Sequence, residues 1–298
     1  MKLRNGCAWL MMVGLVMSSL QAAGPRGYFR YPSVRKQAVV FTAEGDLWTV
    51  SLSGGRATRL TTHLAQETHP RISPDGTLVA FSAAYEGTRE VYVMPLSGGR
   101  PKRLTYDGES SRVIGWTPDG RVAYATRHYS TLPNTQIVLV HPQTLAINRV
   151  PLEQASQASW SPDGKTMFFT RLSKQGSSTK RYQGGTAETI WRFRSEGAEG
   201  AEEAEAIPLT ADYVGTSREP MLWKDHLYFA TDRDGTMNLW VMKAGDGPPD
   251  KPVQLTRHRG FDVLRPSLSE GRIVYQWGAD LRVYDIGEQT DRKIEITL

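Results

Sequence analysis

The sequence of 298 residues contains one cysteine, Cys7, which lies close to the amino terminus. A disulfide needs two cysteines, and a thiolate metal site normally needs several. Cys7 precedes an apolar stretch, whereas a lipoprotein signal places its cysteine at the cleavage point, so we do not expect lipidation. If the segment that contains Cys7 is removed, the remaining chain can carry no disulfide, no cysteine nucleophile and no thiolate metal site.

The apolar stretch at residues 8–20 is short for a membrane span, which needs about 20 residues. Lys2 and Arg4 precede it, and Gln21-Ala22-Ala23 follows as a small-residue cleavage site. These features predict a secretory signal peptide over residues 1–23. The mature chain is then periplasmic or secreted and has no membrane attachment. An uncleaved membrane anchor is the alternative interpretation.

The chain has no run of basic residues with interleaved aromatic residues. Its formal net charge of +5 falls to +3 when Lys2 and Arg4 are removed, and charges of both signs are mixed along the rest. Nucleic-acid binding normally requires a concentrated basic surface, so we do not expect a nucleic-acid partner.

Motifs that carry catalysis are missing as well. The sequence has no H-E-x-x-H zinc motif, no G-x-S-x-G nucleophile elbow and no phosphate-binding loop. The six histidines are spread along the chain without metal-ligand spacing, and we interpret them as turn and surface residues: His63, His69, His128, His141, His226 and His258. The sequence therefore predicts no metal, no cofactor and no catalytic residue.

What the sequence does contain is a recurring stretch. In its clearest copy, Ser73-Pro74-Asp75-Gly76 precedes an alternating apolar run at residues 78–81, and Ser97-Gly98-Gly99 precedes Arg103-Leu104-Thr105. Pro fixes φ, Asp bonds its own backbone and Gly accepts positive φ, so the first tetrapeptide predicts a tight turn. Gly-Gly is a hairpin signal. The stretch predicts four short strands, whose sheet must stack on copies of itself to bury its faces.

The start of the predicted third strand recurs six times, as a polar residue, an apolar residue and usually an aromatic one. The first residues of these copies are separated by 44, 46, 53, 49 and 42 residues, and they are Asp46, Glu90, Gln136, Thr189, Asn238 and Asp280. This period is typical of propeller blades, and no window shows sustained helical periodicity. We predict an all-β, six-bladed propeller over residues 24–298, with four-stranded antiparallel blades at about residues 28–63, 64–108, 109–152, 153–212, 213–259 and 260–298.

Two insertions interrupt the fourth blade. Residues 172–188 extend the connection between its second and third strands, and residues 195–206 are rich in Gly, Ala and Glu. We predict a mobile acidic loop for the second insertion, with a short helix as the alternative. Both chain ends show strand patterns, at residues 30–34 and 292–298. We therefore predict that the ring closes without strand exchange, by side-chain packing between the first and sixth blades.

Four arginines are the candidate binding residues. Aligning the blades on the proline of the first strand places Arg30, Arg112 and Arg218 at one equivalent position, and Tyr31, His69, Glu219 and Arg265 at the next. First strands of propeller blades are usually innermost, so we predict these guanidinium groups at one mouth of the channel. There they would attract carboxylates such as peptide C-termini. The alternative is a set of solvated loop ends with mixed charge.

These residues carry a resemblance to a known family. Repeats of this form are shared by the propellers of TolB, of dipeptidyl peptidase IV relatives and of tricorn-type peptidases. The start Gly27-Tyr28-Phe29-Arg30-Tyr31-Pro32-Ser33, followed by Glu44-Gly45-Asp46-Leu47-Trp48, resembles the start of the propeller in secreted bacterial tricorn-type peptidases. The insertion Lys180-Arg181-Tyr182-Gln183-Gly184-Gly185-Thr186-Ala187 resembles the fourth-blade loop of the same propellers.

The resemblance implies the amino-terminal, six-bladed propeller of a serine peptidase that degrades oligopeptides with a nucleophile in a carboxy-terminal domain. Such peptidases also carry a second propeller and a PDZ module, and they can assemble into large oligomers. The catalytic residues of the family have no counterpart in this sequence. The resemblance therefore implies a module without activity of its own, which serves as a channel, gate or docking surface for peptides. Its implied partners are the other domains of such a peptidase and further copies of itself.

Two other functions stay open from the residues alone. A free-standing, TolB-like periplasmic propeller that binds a protein partner is the first alternative, although TolB carries an extra domain ahead of its propeller. A propeller enzyme such as a lactonase or a glycosidase is the second. It ranks last because its site would need several Asp, Glu, Asn or His residues on first strands.

Overall fold

The structure is a computed structural model that describes residues 27–172, 181–195, 204–245 and 249–298. These residues form six four-stranded antiparallel sheets and one two-stranded parallel pair, with no helix among them. The strands of each four-stranded sheet follow one another in chain order, which makes every sheet a propeller blade. The predicted all-β, six-bladed propeller is confirmed.

The first three blades contain thirteen strands. Blade one consists of β1 (Arg30–Arg35), β2 (Ala38–Ala43), β3 (Asp46–Ser51) and β5 (Thr58–Arg59), and the short β4 (Gly55–Arg56) precedes β5. Blade two consists of β6 (Glu67–Ile72), β7 (Leu78–Ala83), β8 (Glu90–Pro95) and β9 (Lys102–Arg103). Blade three consists of β10 (Arg112–Trp116), β11 (Val122–Thr126), β12 (Gln136–Val140) and β13 (Ile147–Arg149).

The other three blades repeat this order. Blade four consists of β14 (Gln157–Trp160), β15 (Thr166–Thr170), β16 (Ile190–Arg194) and β17 (Glu205–Pro208). Blade five consists of β18 (Ser217–Trp223), β19 (His226–Thr231), β20 (Asn238–Lys243) and β21 (Val253–Gln254). Blade six consists of β22 (Val263–Ser269), β23 (Arg272–Trp277), β24 (Asp280–Asp285) and β25 (Thr290–Lys293), and β26 (Ile296–Thr297) follows it. The first strand of each blade contacts the first strands of both neighbouring blades, so the six first strands surround a central channel.

The turn between the first and second strands forms through side-chain hydrogen bonds. The hydroxyl of Ser73 donates to Asp75 Oδ1 at 2.5 Å and accepts the N–H of Leu78 at 2.9 Å. Gly76 lies at a φ of +80°, a conformation that glycine adopts without steric cost. The hydrogen bond from Ser73, followed by those from the side chain and the backbone N–H of Thr77, favours the charged carboxylate and lowers the pKa of Asp75 to about 2.

The Leu-Thr ends of the fourth strands hold the third strands in register. In four blades, the threonine hydroxyl accepts the N–H of the second residue of the third-strand anchor at 2.9 to 3.0 Å, through the pairs Thr61 with Leu47, Thr105 with Val91, Thr210 with Ile190 and Thr256 with Leu239. All four threonines are buried. In three of these pairs the hydroxyl satisfies a backbone donor that would otherwise be buried without a partner among the described residues, whereas the N–H of Leu47 also lies 3.1 Å from Glu67 Oε2.

The apolar core is divided into six clusters, one at each seam between neighbouring blades. Successive side chains of a strand point to opposite faces, so each blade contributes to two seams. Val39, for example, packs in the cluster shared by blades one and six, and the adjacent Val40 packs in the cluster shared by blades one and two. The ring is thus held mainly by apolar packing between separate sheets.

The ring closes without strand exchange, as predicted, but the contact between blades six and one includes backbone pairing that the sequence did not indicate. After β25 the chain crosses to blade one, where β26 pairs in parallel with β4. At the other chain end, the N–H of Phe29 donates to the carbonyl of Ala279 at 3.0 Å. Phe29, Ile296 and Leu298 also pack in the apolar cluster of this seam. We refer to β26, β4 and their contacts as the terminal latch.

Several predicted features lie partly or wholly outside the described residues. The predicted signal peptide, residues 1–23, is among them. The same holds for residues 173–180 of the first insertion and residues 196–203 of the acidic one. Within the described part of the chain, no helix has the length and apolar character that a membrane crossing requires.

Candidate functional site

The first strands of four blades carry a β-bulge at the level of the channel. In each, the residue before the first-strand proline adopts a positive φ of 52° to 56°, and these residues are Tyr31, His69, Glu219 and Arg265. The pairing with the second strand shifts register at the same point. Proline disfavours the right-handed helical region for the residue before it, and a bulge re-aims that residue's side chain. Here the bulges bring the four side chains together in the centre of the propeller.

The bulge residues contact one another across blade boundaries. The rings of Tyr31 and His69 lie with their centroids 4.2 Å apart, and the Arg265 guanidinium lies 5.6 Å from the centre of the Tyr31 ring. Arg265 Nη1 is 3.5 Å from a carboxylate oxygen of Glu219. Blades two, one, six and five are therefore linked in that order by channel side chains.

Two further arginines extend these links to blades three and four. Arg71 donates from Nε to the carbonyl of Ile114 at 3.0 Å and from Nη1 to the carbonyl of Pro32 at 3.3 Å, so it joins blade two to blades three and one. Arg112 donates to the carbonyl and the hydroxyl of Ser156 at 3.0 and 3.2 Å, which joins blades three and four. We define the channel ring as Tyr31, His69, Arg71, Arg112, Glu219 and Arg265.

Burial determines the charge state of the channel ring. It lowers the pKa of both Arg71 and Arg112 to about 10, so both stay protonated at neutral pH. Burial, and after it the charge of Arg265, hold the pKa of His69 well below its usual range. His69 is only 7% exposed and neutral at pH 7, and neither of its ring nitrogens has a hydrogen-bond partner among the described residues.

A cavity of about 330 Å³ opens beside the channel ring. Its polar end contains His69, Arg71, Arg112, Glu219 and Arg265. Its remaining wall is largely apolar and includes Ile114, Trp116, Trp160, Met221, Leu222 and Leu268. Pro74 and Pro118 also line it, so the cavity reaches the face that carries the turns between first and second strands. A charged end and an apolar wall in one cavity suit a small amphipathic ligand.

The four arginines predicted from the sequence are placed in three different environments. The strand register puts Arg30, Arg112 and Arg218 at equivalent positions, because each pairs with the second-last residue of the neighbouring second strand. Arg112 and Arg265 line the cavity, whereas Arg30 and Arg218 lie outside its wall. Arg30 lies 5.5 to 5.6 Å from the rings of Tyr28 and Tyr31.

Arg218 is buried rather than placed at an open mouth. It is 7% exposed, and its Nη1 lies 3.3 Å from a carboxylate oxygen of Glu188, which belongs to blade four. Desolvation raises the pKa of Glu188, and the charge of Arg218 counteracts this rise. The pair links blades four and five, so Arg218 already has a partner within the propeller.

Sequence reasoning aligned His69 with Arg265 but did not select it as a binding residue, and it did not single out Arg71. The interpretation of the histidines as turn and surface residues is wrong for His69, because the bulge before Pro70 places this side chain inside the channel. The signal that could have found both residues is the tripeptide His69-Pro70-Arg71 on an innermost strand. Within the described ranges, no group of three or more His, Cys, Asp and Glu residues is placed to hold a metal ion.

The chain has clear relatives. The family model described as the tricorn protease N-terminal beta propeller domain matches residues 26–290. The chain belongs to this family. Tricorn protease homolog 1 of Streptomyces coelicolor is 31% identical to it over 291 residues, which are 95% of this chain and 26% of that relative. The chain spans about a quarter of the length of the curated relatives it matches.

Solved structures agree with this family at the level of the fold. The crystal structure of the tricorn protease superposes with a TM-score of 0.78 at 23% identity, and the match covers 92% of this chain and 27% of that one. A putative TolB from Agrobacterium tumefaciens superposes with a TM-score of 0.55 at 19% identity, covering 90% of this chain and 80% of that one. At these identities both likenesses indicate the fold alone. The greater similarity to the tricorn propeller agrees with the family assignment.

Proposed function

We propose that this chain is a non-catalytic propeller module of a tricorn-like serine peptidase, and that its channel serves as a passage, gate or docking surface for oligopeptides. The observation that carries the proposal is membership of the tricorn propeller family over residues 26–290. The peptidase activity belongs, in this proposal, to other domains with which the propeller assembles. The homo-oligomer implied by the resemblance is part of the same proposal.

The channel ring supports a gating role. Its six side chains come from blades one, two, three, five and six, and His69 is almost completely buried among them. A molecule that passes at this level must displace side chains that link neighbouring blades. The absence of strand exchange supports the same role, because no four-stranded sheet of the described residues mixes strands of blades six and one, which are joined by apolar packing, by the short terminal latch and by a few further hydrogen bonds such as that from the N–H of Val34 to Ser267 Oγ.

The location is also proposed. The positive start, the apolar stretch and the small-residue site within residues 1–23 support export to the periplasm or the cell exterior. A tricorn-like peptidase at that location would degrade peptides outside the cytoplasm.

Capture from the source cells tests the function. An antibody against the propeller is used to retrieve it from a cell extract, and hydrolysis of oligopeptides is measured in the eluate with and without a serine-directed inhibitor. The purified propeller serves as the control and should be inactive. We expect the captured material to hydrolyse oligopeptides and the inhibitor to stop it. Capture of the propeller with a partner that has no peptidase activity would instead support the TolB-like alternative.

A further inference from the structure

We propose that the cavity beside the channel ring binds the free carboxylate end of short peptides whose last residue is apolar. This inference rests on the proposed function, since it assigns what the channel accepts. It differs from the ring of four arginines predicted from the sequence, because Arg30 and Arg218 are excluded and His69 is included.

The charge of the cavity favours an anion. Arg71, Arg112 and Arg265 line it together with one carboxylate, that of Glu219, which lies 3.5 Å from Arg265. Two positive charges are therefore not balanced within the cavity wall. Among the residues that the structure describes, Arg112 donates through one terminal nitrogen, to Ser156, which leaves further N–H groups of its guanidinium for a ligand. Guanidinium groups bind carboxylates through paired hydrogen bonds, which are among the stronger ones in proteins.

His69 indicates that the anion is the end of a peptide. Both of its ring nitrogens lack a hydrogen-bond partner within the described ranges, although His69 is only 7% exposed. A neutral imidazole has one N–H donor and one acceptor nitrogen, and each costs free energy when it is buried without a partner. The last residue of a peptide supplies both complements, a carboxylate oxygen that accepts and a backbone N–H that donates. An inorganic anion without protons supplies only acceptors.

The apolar wall accounts for the rest of the ligand. Trp116, Trp160 and Met221 lie along the same cavity as the arginines, and Trp116 is fixed because its Nε1 donates to the carbonyl of Arg71 at 2.8 Å. The volume of about 330 Å³ is close to the lower limit for small-ligand pockets, which span about 300–1,000 Å³. It therefore suits the terminal one or two residues of a peptide rather than a long segment.

The first test compares two forms of one peptide on the purified chain. A tripeptide that ends in phenylalanine is titrated with a free carboxyl end and with an amidated end, and binding is followed by calorimetry and by tryptophan fluorescence. Inorganic phosphate and acetate are titrated in parallel. We expect the free acid to bind at least about tenfold more tightly than the amide, since charge-assisted hydrogen bonds are lost in the amide. We also expect acetate and phosphate to bind more weakly than the free acid.

Variants locate the site. Arg112→Gln and His69→Phe should each lower the affinity for the free-acid peptide by about tenfold. His69→Phe keeps an aromatic ring beside Tyr31. Arg257→Gln removes an exposed arginine outside the cavity and should leave binding unchanged. Thermal unfolding of each variant verifies that it is folded at the temperature of the titration. If Arg112→Gln has not folded, Arg265→Gln takes its place in the comparison.

Three results would overturn the inference. One is equal binding of the acid and the amide, and another is tighter binding of phosphate than of the peptide, which would make the cavity a site for inorganic anions. The third is unchanged binding in folded Arg112→Gln and His69→Phe. None of these results would affect the capture of peptidase activity from source cells, so failure here is distinguishable from failure of the proposed function.

Discussion

His69 is a buried, neutral histidine among three arginines, and this environment makes it sensitive to acid. In the unfolded chain its imidazole takes up a proton near pH 6.5, the usual value. In the folded chain the imidazole of His69 stays neutral down to a pH well below that value, because burial and the charges of Arg265 and Arg112 lower its pKa. The unfolded state therefore binds more protons below pH 6.5, so the contribution of His69 to stability is complete above that pH and decreases as the pH falls.

The prediction from His69 concerns the pH dependence of unfolding. Between pH 7.5 and 5.5 the free energy of unfolding of the wild type should fall by about 1 kcal/mol more than that of His69→Phe, which has no group to titrate. Denaturant unfolding at both pH values measures the difference. His128→Gln, which changes an exposed histidine, should retain the wild-type dependence. Equal pH dependence of wild type and His69→Phe would show that His69 is protonated normally in the folded chain.

At the residue scale, the repeat identifies equivalent positions on the first strands, but it does not indicate how deeply their side chains are buried or which partners they contact. The repeat aligns equivalent positions of first strands, and two of the four arginines singled out in this way, Arg112 and Arg265, line the cavity. The burial of Arg218 could not be predicted, since its partner Glu188 is 30 residues earlier in a different blade. The orientation of His69 depends on a bulge, and the repeat period does not record where a strand shifts register.

At the scale of single elements, the Leu-Thr end found in four of the six blades contributes a buried hydroxyl to the third strand. Thr210 is 1% exposed and accepts the N–H of Ile190 at 3.0 Å. Valine has nearly the same shape but cannot accept a hydrogen bond. The N–H of Ile190 would then be buried without a partner at the start of β16.

Replacing this threonine tests the role of the motif. Thr210→Val should lower the free energy of unfolding by about 1–3 kcal/mol, the usual cost of an unsatisfied buried donor. Thr58→Val, at an exposed position of the outer strand β5, should change stability by less than about 0.5 kcal/mol. Chemical denaturation of both variants provides the measurement, and equal values for the two would contradict the role assigned to the Leu-Thr end.

The elements themselves were largely predictable because their signals are local. Ser73, Asp75 and Gly76 determine a turn through hydrogen bonds within a few residues, so the sequence alone identifies it. The last strand was predicted less well. The sequence pattern predicts one strand over residues 292–298, whereas β25 ends at Lys293 and β26 pairs with blade one instead. That pairing joins residues about 240 positions apart, which no local pattern indicates.

At the scale of the whole molecule, the seam between blades six and one differs from the other five, because the terminal latch crosses it. Gly54 lies beneath the latch at a φ of +92°, and a Cβ atom there would be 2.6 Å from the carbonyl oxygen of Glu295. Gly98 is the equivalent glycine of blade two, at a φ of +96°, with open space around the position of a Cβ atom. The two glycines therefore have the same backbone requirement but different surroundings.

This pair gives a matched test of the latch. Gly98→Ala should cost about 1–2 kcal/mol through its left-handed conformation alone. Gly54→Ala should cost more, because the methyl group also displaces the backbone of Glu295. In Gly54→Ala, the amides of Gly55 and Ala57 should exchange hydrogen faster than in the wild type, because their N–H groups donate to Glu295 and Thr297 across the seam. Equal losses of stability and unchanged exchange at both amides would mean that the latch does not contribute to closure.

The central claim is that this propeller works as part of a tricorn-like peptidase, and its native mass tests that claim most directly. An extract of the source cells is separated by size under native conditions, and the fractions are probed with an antibody against the propeller. The account predicts a signal at a mass several times the 33.2 kDa of this chain, in fractions that hydrolyse oligopeptides. A signal at the mass of the chain alone, in fractions without that activity, would contradict it and indicate a free-standing propeller.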